Sequence, residues 1–155
     1  MSIIMRPEVI QILSAGIAGL GFAIIFHIRP KHLPVTFVGA SLGWLLYLAA
    51  KQVWRANAIG MIFAALGVTV YSEIGARLFH MPVSVIYTPA IIPMIPGGYL
   101  YYCMRGFVTD SQEDFVEYGS MLLEDTLSIV LGTMIVLTFV SAVAQKRKRT
   151  KEDRR

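Results

Sequence analysis

The chain has 155 residues, 55% of them hydrophobic and 15% charged, with a net charge of +4. A soluble domain carries about 25% charged residues and, at this length, has too little interior to hide so much apolar surface. The mean hydropathy of +0.62 therefore points to lipid as the solvent for most of the chain, and excludes an ordinary cytosolic enzyme as well as a disordered chain.

Polar breaks divide the sequence into five apolar spans. Span one covers about residues 9–28 and ends at Arg29-Pro30-Lys31-His32. Its start resembles a signal peptide behind Arg6, but further apolar runs follow instead of a polar region, so it reads as a retained span. Span two covers about 33–50 and ends at Lys51; it is short for a ~30 Å hydrocarbon layer. Span three covers about 56–79, between Arg55 and His80-Met81-Pro82, and span four about 83–104, before Arg105-Gly106. After an acidic stretch, span five runs over about 118–144. Ser111 reads as a helix cap with Asp114 three residues on, so a continuous helix from Gln112 would outrun the bilayer. The expected fold is all-α: a polytopic helical membrane protein with one five-helix transmembrane domain over 1–145 and a basic cytoplasmic tail over 146–155.

Seven of the 14 basic residues lie in that tail. It follows directly on an apolar helix, so membrane orientation explains it better than nucleic acid, which is not expected as a partner. With the C-terminus cytoplasmic, ten basic residues fall inside and four (Arg6, Lys51, Arg55 and Arg105) outside. The positive-inside bias then gives an outside N-terminus, a reading that rests on the tail. The tail also suits anionic lipid.

Span four is the anomaly. Four of the seven prolines (Pro82, Pro89, Pro93 and Pro96) fall within fifteen residues, and Gly97 and Gly98 follow. Each interior proline removes a backbone donor and clashes with the preceding turn. Two readings stand. One is a bent helix packed on its neighbours. The other is a discontinuous helix whose unwound backbone near Pro96-Gly97-Gly98 offers amides to a carboxylate and carbonyls to a cation, as in transporters. Tyr99 and Tyr102 share a face behind the break; they form either an interfacial belt or the wall of a polar cavity.

Four ionisable residues sit at membrane depth. Glu73 and Arg77 are four apart on one face, either a local ion pair near the interface or a proton or amine site. Glu124 and Asp125 fall where span five enters the hydrocarbon, as a solvated flank or as the mouth of a pathway for cationic or zwitterionic solutes. Asn57 and Thr69 are candidates for interhelical hydrogen bonds. His27, His32 and His80 lie near span ends, and their spacing suggests no metal site. Cys103 reads as a packing residue, and Trp44, Tyr47 and Trp54 as an aromatic belt. Gly39, Gly43, Gly60, Ala64 and Gly67, with Gly16 and Gly19, form small-residue stripes that let helices approach closely where lipid removes most of the hydrophobic drive.

The segment Thr88-Pro89-Ala90-Ile91-Ile92-Pro93-Met94-Ile95-Pro96-Gly97-Gly98-Tyr99-Leu100-Tyr101 resembles the signature of the threonine/serine exporter family. Gly21-Phe22-Ala23-Ile24-Ile25-Phe26, Gly39-Ala40-Ser41-Leu42-Gly43-Trp44, and Glu73, Ala76 and Arg77 ahead of Pro82 fit the preceding spans of that family's C-terminal half. The resemblance covers about residues 15–140. It implies a secondary transporter of the plasma (inner) membrane driven by the proton gradient, without catalytic residues, metal or cofactor. It further implies a small C-terminal-type subunit of the split form, working with a larger five-span subunit on a small-molecule substrate: threonine or serine, or alternatively a dicarboxylate such as succinate. Gly98 departs from many relatives and bears on selectivity. From the residues alone, an odd-spanned chain suits pairing with an inverted or parallel repeat, or a higher oligomer, and a non-transporting scaffold or assembly protein is the competing reading.

Overall fold

The computed structural model describes residues 7–152, with side chains through Lys146. Arg6, used in the orientation count, and the side chains of most of the basic tail lie outside the described residues. Six α-helices follow one another: α1 (Pro7–Ile25), α2 (Leu33–Trp54), α3 (Asn57–Phe79), α4 (Val83–Ile91), α5 (Gly97–Val108) and α6 (Gln112–Glu152), with single 3-10 turns at Pro30–His32 and Ile92–Met94. There is no β-strand among the described residues. The fold is all-α, and the protein is a multi-pass membrane protein. Helices α1, α2, α3 and α6 are each long and apolar enough to cross a membrane, and α4 with its 3-10 turn plus α5 make a fifth candidate, bent by 53° at the break.

The helix ends explain where span boundaries shift. The first helix stops at Ile25, three residues before the expected end. His27 adopts the left-handed conformation (φ 55°), its N–H donates to the Ile24 carbonyl, and the Ile28 N–H donates to Ala23. These two bonds satisfy the last carbonyls in the way a C-terminal glycine usually does. His80 (φ 53°) ends α3 and Asp110 (φ 57°) follows α5 in like manner, with Met81 donating to Ala76 and Ser111 to Gly106. Left-handed non-glycine residues are uncommon, though His and Asp are enriched among them. Arg55 (φ 52°) closes α2, which thus reaches 22 residues, about 33 Å at the helical rise, and is no short span. Helix α6 starts directly after Ser111 and runs 41 residues, roughly 60 Å and about twice the hydrocarbon thickness.

Packing follows the chain. Helix α1 lies on α2, α2 on α3 and α3 on α6; α4 is wedged against α2 and α3, and α5 rests on α6. Small residues set these distances. A Cβ on Gly19 would come within 2.6 Å of Ala40, one on Gly43 within 2.6 Å of Val68, and one on Gly60 within 2.9 Å of the Tyr47 ring. Gly39 faces Tyr71 and Ala90, Gly67 faces Leu46, and Gly132 sits against the backbone of α3 at Ile62. Ala64, with Ala65 and Val68, is fully buried in the core that Tyr47, Met61, Ala90 and Met94 complete. Hydroxyls tie the bundle: Tyr71 donates to the Val35 carbonyl (2.9 Å), and Tyr87 and Thr133 join α4 to α6 (2.9 Å). Thr69 instead bonds within its own helix, to Ala65 (2.6 Å). Cys103 is buried in the α5–α6 contact, as its composition suggested.

Candidate functional site

The proline-rich segment loses its helix over three residues. Pro93 enters the 3-10 turn, Ile95 is extended (φ −61°, ψ 129°), and Pro96 has φ −74° and ψ 60°. The Gly97 N–H donates to the Ile95 carbonyl at 2.7 Å, closing an inverse γ-turn about Pro96. Helix α5 restarts at Gly97, and the first intrahelical bond runs from Leu100 to Pro96 (3.2 Å). The amides of Gly98 and Tyr99 belong to the first turn and have no backbone acceptor among the described residues, the ordinary condition of a helix N-terminus and a favourable place for an anion. The break lies about 20 Å along the chain from the start of α4, by the rise of nine α-helical and three 3-10 residues.

A cavity of about 310 Å³ opens at this break, at the small end of ligand-site volumes. Its walls are Trp44 and Tyr47 from α2, Met61 from α3, residues 93–96, then Gly97, Gly98, Tyr99 and Tyr102 from α5, and Tyr118 and Asp125 from α6. A Cβ on Gly97 or Gly98 would meet nothing within 4 Å, and neither glycine has positive φ. Their lack of a side chain leaves room rather than relieving strain.

Two features give the cavity its chemistry. The first is a polar chain along one wall. Lys51 Nζ donates to the Tyr47 hydroxyl (3.2 Å), Tyr47 donates to Asn57 Oδ1 (3.1 Å), and Asn57 Nδ2 donates to the Tyr99 hydroxyl (3.4 Å). The second is Asp125 among aromatic rings. Tyr118 stacks on Tyr102 (centroids 5.1 Å) and Tyr99 (6.5 Å), Trp44 lies against Tyr47 (5.3 Å), and Arg105 covers Tyr102 from outside (5.0 Å) while pairing with Asp114 (3.4 Å). Asp125 is only 3% exposed, and no donor hydrogen-bonds it among the described residues. The charged groups that act on it are Glu124 and Lys51. Lys51 is its countercharge at longer range, and a buried intramembrane carboxyl group that no donor hydrogen-bonds can also take a cation, an amine or a proton.

Of the residues singled out in the sequence, Pro93, Pro96, Gly97, Gly98, Tyr99, Tyr102 and Asp125 meet at this cavity. Pro89 is buried inside α4. Glu124 points outward beside Asp125. Glu73 and Arg77 do not line the cavity; they bond to each other at 3.0 Å, with the arginine side chain 65% exposed and the carboxylate 12% exposed. Trp44, Tyr47 and Tyr118 line it without having been expected to. Tyr118 carried a legible signal: it lies seven residues before Asp125, on the same helical face.

A discontinuous helix beside a small cavity, inside an all-α membrane bundle, is an arrangement that transporters use. Residues 11–139 match the family described as Threonine/Serine exporter, ThrE, and the chain belongs to that family. It is 28% identical over 141 residues to an uncharacterized protein of Haemophilus influenzae, a match covering 88% of this chain and 45% of that protein. It is 27% identical over 117 residues to a Golgi pH regulator homolog of Dictyostelium discoideum, covering 72% of this chain and 21% of the other. The chain thus spans about half the length of the first relative and a fifth of the second. No solved structure matches it.

Proposed function

We propose that the chain is part of a secondary transporter that exports small zwitterionic amino acids of the threonine and serine class across the plasma (inner) membrane. The observation that carries this reading is the placing of opposite recognition elements on one 310 Å³ cavity. The free amides of Gly98 and Tyr99 suit an α-carboxylate. Asp125 among Tyr99, Tyr102, Tyr118 and Tyr47 suits an α-ammonium, through charge and through the ring faces. A dicarboxylate would bring its second anionic group against Asp125, so the zwitterion fits better. The substrate hydroxyl has the Tyr47–Asn57–Tyr99 chain for a partner. Asp125, rather than the paired Glu73, takes the amine or proton.

The cavity is open, with walls from α2, α3, α5 and α6 and the broken segment alone. A larger five-span subunit of the same family, which supplies the opposite wall, completes the reading. The match to under half of the Haemophilus protein supports this requirement for further chain. The basic C-terminal segment favours a cytoplasmic C-terminus and an outside N-terminus.

The test is amino-acid efflux from proteoliposomes holding this chain with its partner subunit under an imposed pH gradient. Threonine and serine efflux driven by the gradient and lost in Asp125→Asn is expected. Efflux indifferent to both the gradient and the substitution defeats the proposal.

A further inference from the structure

The chain has three histidines, separated in sequence, and the fold gathers all of them at the other end of the bundle. His27 follows α1, His32 precedes α2 and His80 follows α3; with Arg29, they line a second cavity of about 360 Å³. Leu33 to Tyr47 along α2 measures about 21 Å, so this cavity is well separated from the one at the break. The ring of His32 is packed edge-on to Phe79 (centroids 5.7 Å) and the residue is only 8% exposed. Its Nδ1 is buried with no hydrogen-bond partner. Buried polar atoms almost always have one, and each exception asks for an explanation.

The surroundings decide what would satisfy it. The charged groups acting on His32 are Lys31 and Arg29 from its own turn. The other titratable groups facing the cavity are His27 and His80, and the wall at the start of α4, Pro82 just before it and Val85 within it, is apolar. No carboxylate lines the cavity, and no group of three or more His, Cys, Asp or Glu among the described residues is placed to hold a metal ion. A site with imidazole donors and a guanidinium fork, and no acid, is built for an anion of carboxylate size.

We propose that this cavity is a vestibule that binds the carboxylate of a free small solute, with the Arg29 guanidinium and the imidazoles of His32, His27 and His80 as its donors. The anion chemistry stands on these residues alone; the choice of a transported solute rests on the transport reading. A lipid phosphate offers similar oxygens, so the two sources must be told apart. Because every histidine of the chain lies here, ¹⁵N-histidine labelling of the untagged protein, with its partner subunit unlabelled, reports on this site without interference.

In phosphatidylcholine nanodiscs, acetate titrated against chloride at matched ionic strength should shift the His32 Nδ1 resonance saturably. Arg29→Gln, a change at an exposed position, should weaken that binding at least about fivefold. Asp125→Asn should leave it intact, so a failed transport reading and a failed vestibule give different results. No saturable shift, an unchanged response in Arg29→Gln, or a shift produced only by added phosphatidylglycerol would each overturn the proposal, the last by making the cavity a lipid seat.

Discussion

Replacing Asp125 with asparagine is the sharpest probe of the cavity, because it keeps the shape and removes only the charge. Asp125 is 3% exposed and has no hydrogen-bonding donor of its own among the described residues, so an ammonium beside it competes with the longer-range charge of Lys51 and with no direct hydrogen bond. At about 4 Å and an effective dielectric of about 20, a unit charge pair is worth about 4 kcal/mol. The asparagine carbonyl returns about 1 kcal/mol as a neutral acceptor. The net loss is about 3 kcal/mol, on the order of 100-fold in Kd. Isothermal titration of threonine into the detergent-purified protein with its partner subunit measures it directly. The deaminated analogue, β-hydroxybutyrate, serves as the control, since it keeps the carboxylate and hydroxyl but offers nothing to Asp125. Its affinity should stay level or rise. Equal weakening of both ligands, or an unchanged threonine Kd, would refute the assignment of the ammonium to Asp125.

Other expectations follow from neighbouring geometry. Gly97→Ala and Gly98→Ala meet open space and improve helix propensity by up to about 1 kcal/mol; membrane levels should be normal while efflux falls, because the methyl groups occupy the cavity floor. Gly132→Val places a Cβ 2.6 Å from the Ile62 carbonyl oxygen, backbone that cannot swing away, and should cost about 1–3 kcal/mol of stability, read as a lowered melting temperature in detergent. Asn57→Leu cuts the chain between Tyr47 and Tyr99 and should cost about 1 kcal/mol, with a larger loss of affinity for hydroxylated substrates than for alanine in competition binding. Glu73→Gln removes an ion pair one turn long with a mostly exposed arginine, worth about 0.3–0.5 kcal/mol, and should leave proton-driven efflux in place; its abolition would return the coupling role to Glu73.

The membrane class and the broken fourth span were readable from composition and from proline chemistry. A 55% hydrophobic chain must use lipid as solvent, and Pro93, Pro96 and the glycine pair forbid a regular helix whatever surrounds them. The small-residue stripes were readable for a similar reason, since Gly39, Gly43 and Gly60 mark flat faces before any partner is known. Helix ends were harder. His27, Arg55 and His80 terminate helices in a conformation usually given to glycine, so a glycine-based rule passes over them.

What the sequence determined by itself is local: periodicity, helix-breaking chemistry and hydrophobic length act within a few residues of one another. Which acid faces the break is not local. Glu73, Glu124 and Asp125 look equivalent in one dimension, and only the rotation of α6 against α3, fixed by the Gly132 contact, turns Asp125 inward while Glu124 points out. The meeting of Tyr47, Asn57, Tyr99 and Tyr118, and of His27, His32 and His80 at the far end, likewise depends on helices packed from distant parts of the chain, where a turn of about 100° per residue decides whether a side chain meets a neighbour or lipid.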